Sequence, residues 1–154
     1  VNIFYLSHDP KEAAIWQVDS HVVKMCLESC QLLCTTFHEQ NIEAPYKATH
    51  RNHPSAIWAR ESKANFDWLL SHTYELFVEY CRRYDKIHKS VKVFRWCSEN
   101  QLKLEFLQQI QTPIRLAMPD EYKTSDPVES YRNYYKHGKK HLHKWKQNKP
   151  DWIN

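Results

Sequence analysis

The sequence predicts an all-α domain, and three features carry that expectation. A single glycine, Gly138, stands among 154 residues, which leaves little material for tight hairpins or a glycine-rich phosphate loop. Apolar residues keep helical spacing over residues 20–37 and again over 54–84. Asp9-Pro10-Lys11-Glu12 and Asp126-Pro127-Val128-Glu129 each combine a capping acid, a proline suited to the first helical position and an acid in the first turn. The expected architecture is a compact single-domain bundle over 1–154, with a central helix (about 20–37), a long second helix (about 54–84) and a basic C-terminal helix. A chain of this length buries roughly two thirds of its unfolded surface, and an aromatic content of 14% suits such a core.

The elements follow in order. Residues 2–6 form a short extended or buried entry segment, and the first helix runs from Pro10 to about Val18. Asp19 or Ser20 caps the central helix. A loop over 39–53 ends in His50-Arg51-Asn52-His53-Pro54, where Asn52 or His53 before the proline starts the next helix. The run to Tyr84 is one helix, or two broken near Glu61-Ser62. Residues 90–108 hold one or two further helices, with Val91, Val93 and Phe94 leaving a strand open. Three prolines between Gln111 and Pro127 enforce irregular backbone.

The central helix carries the most information. At about 100° per residue, His21, Lys24, Glu28, Gln31 and Thr35 share one narrow polar stripe, and apolar or thiol side chains fill most of the remaining circumference. A helix this apolar belongs at the centre of a fold, with its stripe lining a groove. The alternative is a solvated edge whose Lys24/Glu28 pair contributes about 0.2–0.5 kcal/mol.

Glu28 is the candidate catalytic carboxylate. Apolar neighbours favour its neutral form, while Lys24 one turn away favours the ionised form. His50-Arg51-Asn52-His53 gathers hydrogen-bonding groups before a helix N-terminus, a natural place for phosphate. Its two histidines could instead serve a metal-dependent nuclease, but a carboxylate at matched spacing is missing, so neither metal nor other cofactor is expected. Asp120-Glu121-Tyr122 reads as a solvated turn.

Net charge is +4, and residues 131–149 hold seven Lys/Arg and no acid, leaving the rest of the chain at −3. Lys136, Lys139 and Lys140 interleave with Tyr134 and Tyr135, a combination of phosphate attraction and flat rings that suits nucleic acid. The alternative is a solvated amphipathic helix. Five cysteines, three of them at helical spacing (Cys26, Cys30, Cys34), point to buried thiols in a reducing compartment. No apolar run long enough to span a membrane occurs, so a cytoplasmic, monomeric protein is expected.

Asp19-Ser20-His21 with Glu28 seven residues after the histidine, Asn52-His53-Pro54 ahead of a long helix, and Tyr134-Tyr135-Lys136-His137-Gly138-Lys139 near the end occur in this order along the chain. Together they resemble the small all-helical phage and bacterial pyrimidine-dimer DNA glycosylases, and the chain is also similar to uncharacterised phage proteins. The resemblance implies a base-excision enzyme of the glycosylase/AP-lyase type, acting on a damaged or modified pyrimidine in duplex DNA, with Glu28 as the catalytic carboxylate. The family attacks the sugar with its N-terminal α-amine. Val1 takes that role if removal of an initiator methionine leaves it free, although it stands several residues farther from the Asp-x-His than the family's amine does. Lys24 is the alternative amine. His21, Arg51 and His53 then position phosphates, and Tyr134, Tyr135, Lys136, Lys139 and Lys140 hold the strand. A reading from another class is a non-catalytic nucleic-acid-binding phage accessory or inhibitor protein, in which the stripe is structural and the tail supplies affinity.

Overall fold

The computed structural model describes residues 1–154 and is all-helical. Helix α1 (Pro10–Ile15) starts as expected, with Asp9 accepting from the Lys11 N–H at 2.9 Å. It stops short of Val18, because Gln17 and Val18 form the bend into α2 (Asp19–Glu39). Neither Asp19 nor Ser20 caps that helix. The Asp19 carboxylate instead accepts from Arg83 Nη1 and from the Lys146 N–H, both at 3.0 Å.

The long second helix is corrected to two, α3 (Pro54–Glu61) and α4 (Lys63–Tyr84), separated by Ser62 in extended backbone (φ −151°, ψ 160°). The break is stabilised because the first N–H groups of α4 are met. Ser62 Oγ accepts from the Asn65 N–H at 3.1 Å, and the Lys63 and Ala64 N–H groups donate to the Gln108 and Gln109 carbonyls at 2.9 and 3.2 Å. Buried Asn65 donates to the Trp58 carbonyl and to Thr112. The irregular segment after α5 thus acts as the splint for this joint.

Helix α5 (Val91–Asn100) resolves the strand alternative: Val93 and Cys97, one turn apart, are both buried. All five cysteines are free, and Cys34 and Cys97 Sγ lie 3.7 Å apart between α2 and α5. Helix α2 packs against α3, α4 and α5 and is buried on most of its circumference, which makes it the central helix. No helix is long and apolar enough to cross a membrane.

The basic C-terminal helix is also corrected. Helix α6 (Pro127–Asn133) opens into a wide turn over Tyr134–Gly138 and a tight one over Lys140–Leu142, and irregular backbone follows. The cause is tertiary, since the Lys144 carbonyl and Lys146 N–H serve α2 and tail side chains serve the end of α1 and α4. The Asp19 N–H donates to the Lys144 carbonyl at 2.8 Å, Trp145 Nε1 donates to the Trp16 carbonyl at 2.8 Å, and the Gln147 and Asn148 amides donate to Glu79 at 3.2 and 3.0 Å.

Arg83 lies at the middle of this arrangement. Its guanidinium donates to Glu79 Oε2 (2.8 Å), Asp19 Oδ1 (3.0 Å) and the carbonyls of Gln17 (2.7 Å) and Ile15 (2.8 Å). Replacing Arg83 by Met leaves buried Asp19 without a cation and Glu79 with only Arg82 at 3.9 Å, a change that costs about 3–5 kcal/mol. Urea denaturation of R83M is expected to show that loss, together with earlier proteolysis of the tail.

Candidate active site

The polar stripe of α2 divides by depth. Lys24 reaches water, Gln31 is half-buried, and His21, Glu28 and Thr35 are 5%, 8% and 1% exposed. What covers Glu28 is the chain's first segment. Ile3, Phe4, Tyr5 and Leu6 are buried, and Asn2 pins the segment in place. Its Oδ1 accepts from the Ile3 N–H (2.8 Å) and Tyr131 Oη (3.0 Å), and its Nδ2 donates to the Ala117 carbonyl (2.8 Å).

Phe4 adopts a left-handed backbone (φ 57°), a conformation that costs a non-glycine residue of order 1–3 kcal/mol. Its ring stacks on His21 at 4.3 Å with planes 13° apart. The turn folds the segment back, and the Val1 α-amino nitrogen lies 3.0 Å from Glu28 Oε1. Lys24 Nζ lies 3.6 Å from Glu28 Oε2. One carboxylate therefore bridges two amines that differ in environment, the Val1 side chain being 1% exposed and that of Lys24 65%.

His21 does not face the groove as a phosphate contact. Tyr135 Oη accepts from the Val18 N–H at 3.0 Å and shares a hydrogen bond with His21 Nδ1 at 2.7 Å. Burial, then Lys139, Lys24 and His141, push the His21 pKa down to about 3. Tyr135 is wholly buried, and burial raises its hydroxyl pKa. The expected contacts of His21 and Tyr135 with nucleic acid are thus corrected to packing that supports Phe4.

The other sequence candidates separate in space. Arg51 is exposed and held by Glu39 at 2.9 Å. His53 caps α3, with Nδ1 accepting from the Ser55 N–H at 3.0 Å. Burial, then the Val1 amine and His50, hold its protonation down, and Glu28 opposes them. No group of three or more His, Cys, Asp or Glu side chains is placed to hold a metal ion. Asp120 pairs with Lys123 at 2.9 Å on an exposed turn.

The tail borders the Val1–Glu28 centre. Lys139 Nζ lies 5.1 Å from the half-buried Tyr134 ring and 6.0 Å from Phe4. Gly138 permits this packing, because a Cβ there would stand 2.6 Å from Tyr134 Cδ1. Lys136, His137, Lys140 and His143 line a recess of about 220 Å³, and Ser20, His141, Lys144 and Lys146 contribute to another of about 520 Å³ at the start of α2. Sequence reading missed Asn2 and Phe4, which position Val1, and His141, which disfavours protonation of His21. Proximity across more than a hundred residues left no local signal for them.

No family model, curated protein or solved structure matches this chain.

Two buried histidines make the fold acid-sensitive. His21 falls from 6.5 to about 3 and His72, enclosed between α4 and α1, to about 4, with burial the leading cause for both. Between about pH 6.5 and pH 4 the unfolded chain binds more protons than the folded one, so stability is present above this window and lost as pH falls through it. The slope is up to about 1.4 kcal/mol per pH unit for each histidine. Urea midpoints measured across this range should drop on acidification, and H21N should remove about half of the combined slope.

Proposed function

We propose that the chain is a DNA glycosylase/AP lyase that attacks a damaged or modified pyrimidine nucleotide with the Val1 α-amine, assisted by Glu28. The observation that carries this reading is the 3.0 Å approach of the Val1 nitrogen to a buried carboxylate beside a basic surface. The Val1 nitrogen stands nearer the carboxylate than Lys24 Nζ does, 3.0 against 3.6 Å, and this ranks Val1 ahead of solvated Lys24.

In the reaction, the nitrogen lone pair forms a bond to the sugar C1′ while the C1′–N1 bond breaks and the base leaves with that electron pair. Glu28 takes the proton that the attached amine must lose. Opening of the C1′–O4′ bond, with a proton delivered to O4′, produces an iminium cation, which the Glu28 carboxylate stabilises at short range. Loss of a C2′ proton then expels the 3′-phosphate and cuts the strand. Lys24, Lys139 and Lys140 supply positive charge for the flanking phosphates, with Lys136 on the adjoining recess, and Tyr134 offers a partly open ring for stacking.

The reading requires a free amine on Val1, which intact-mass measurement checks. Borohydride added during incubation with abasic duplex should trap a covalent adduct at Val1. Glu28→Gln should lower turnover by about 10²–10⁴-fold and leave DNA affinity unchanged. The competing reading, a non-catalytic binding module, is favoured by the Val1–Glu28–Lys24 contacts, which also make an ordinary ionic staple. It predicts no adduct and no effect of E28Q beyond stability.

The tail gives a second, separable expectation. If half of its cations contact phosphates, duplex affinity falls with salt at a log–log slope of about −3. Neutralising Lys136, Lys139 and Lys140 together should flatten that slope by about 2 to 3 units and weaken binding to all sequences alike. Binding unchanged at every salt concentration would remove the tail from the interface.

A further inference from the structure

We propose that Cys34 and Cys97 form an intramolecular disulfide when the protein meets hydrogen peroxide, a reversible modification that fastens α5 to the central helix. Neither sulfur is part of the Val1–Glu28 centre, so this oxidation is independent of the glycosylase reading above. Two observations carry it. The first is contact: the two buried sulfurs meet between α2 and α5 at 3.7 Å, although 63 positions separate them along the chain. A disulfide holds its sulfurs about 2.05 Å apart, so the pair must close by roughly 1.7 Å, a shift that rotation about the two Cα–Cβ bonds supplies. The other thiols are engaged elsewhere. Cys26 Sγ donates to the Val22 carbonyl at 3.2 Å, Cys30 Sγ donates to the Ser90 carbonyl at 3.8 Å, and Cys81 is exposed on α4.

The second observation is how lightly α5 is held. Of its ten residues only Val93 and Cys97 are buried, and Val91, Phe94 and Trp96 are covered in part. Local opening of a short peripheral helix breaks few apolar contacts and leaves the core in place. When α5 lifts, both sulfurs meet water together, and when it returns they are again side by side.

The two thiols are unequal. A hydrogen bond from Cys97 holds the Cys34 thiol below its ordinary range, and that bond together with burial pushes Cys97 up. Cys34 therefore attacks first. Its thiolate sulfur bonds to one peroxide oxygen, the O–O bond breaks, and the other oxygen leaves as hydroxide, which takes up the proton that Cys34 gave. The product is a sulfenic acid at Cys34. The Cys97 sulfur then gives up its proton and bonds to the Cys34 sulfur, while the S–O bond breaks and the oxygen departs as water. Two thiols lose two electrons in all, and one hydrogen peroxide is reduced to two waters. The bond closes a long loop, restricts the unfolded chain and so stabilises the fold.

Cys81→Ser removes the exposed thiol, a source of links between molecules, and leaves four of the five cysteines. Hydrogen peroxide applied to folded C81S should halve the thiols that titrate after denaturation. The intact mass should fall by two hydrogens with no oxygen retained, and non-reducing peptide mass spectrometry should find Cys34 linked to Cys97. The melting temperature should rise by about 5–10 °C, and dithiothreitol should reverse each change. In C81S/C97A the rise in melting temperature should be lost; the linkage in C81S decides the matter even if the double variant does not fold. An unchanged thiol count, a link between any other pair, oxygen added without a link, or a link formed only after urea has unfolded the chain would each overturn the assignment. So would a rise in melting temperature that persists in the double variant.

Discussion

A buried cation organises this fold. Arg83 on α4 satisfies four acceptors contributed by the end of α1, the bend before α2, the first residue of α2 and its own helix. Burying a guanidinium is costly unless all its donors are met, so these elements can meet in few arrangements. The two carboxylates it pairs with then recruit the tail: Asp19 takes the Lys146 N–H, and Glu79 takes the amides of Gln147 and Asn148. The basic end of the chain is thereby held against the beginning of α2. Positive potential beside the Val1–Glu28 centre is a consequence of the core.

The opposite end of the chain is fixed by a different device. Asn2 closes hydrogen bonds to Ala117 and Tyr131, Phe4 takes a left-handed turn, and its ring lies on His21, which is hydrogen-bonded to Tyr135. The strain at Phe4 is offset by an aromatic pile inside the core. A backbone held this firmly places an amine against a carboxylate with little freedom left to lose, which is what pre-organised nucleophilic chemistry requires. The same rigidity would serve an ionic staple equally well, so chemistry rather than geometry separates the two readings.

Much of the architecture was legible in the residues. The caps at Asp9 and Asp126, the apolar circumference of α2 and the helical spacing in α4 each depend on neighbours within a turn or two. Glu28 was legible for the same reason, as a carboxylate on the narrow polar stripe of an otherwise apolar helix. The break at Ser62 was visible only as an alternative. Its stability comes from the carbonyls of Gln108 and Gln109, more than forty residues away. The tail looked helical because its local pattern is amphipathic, and tertiary hydrogen bonds to Asp19 and Glu79 overrode that preference.

By itself, the sequence determined the helical class, the central helix, the Glu28 stripe and the concentration of positive charge at one end, because these follow from periodicity and composition. Tertiary structure decided which stripe residues face inward, turning His21 and Tyr135 into supports. It also brought Val1 to Glu28 and gave Arg51 and His53 different partners, Glu39 and the start of α3. Apart from the His53 cap, each of those outcomes depends on desolvation and on hydrogen-bond partners remote in sequence, so no local pattern could encode them.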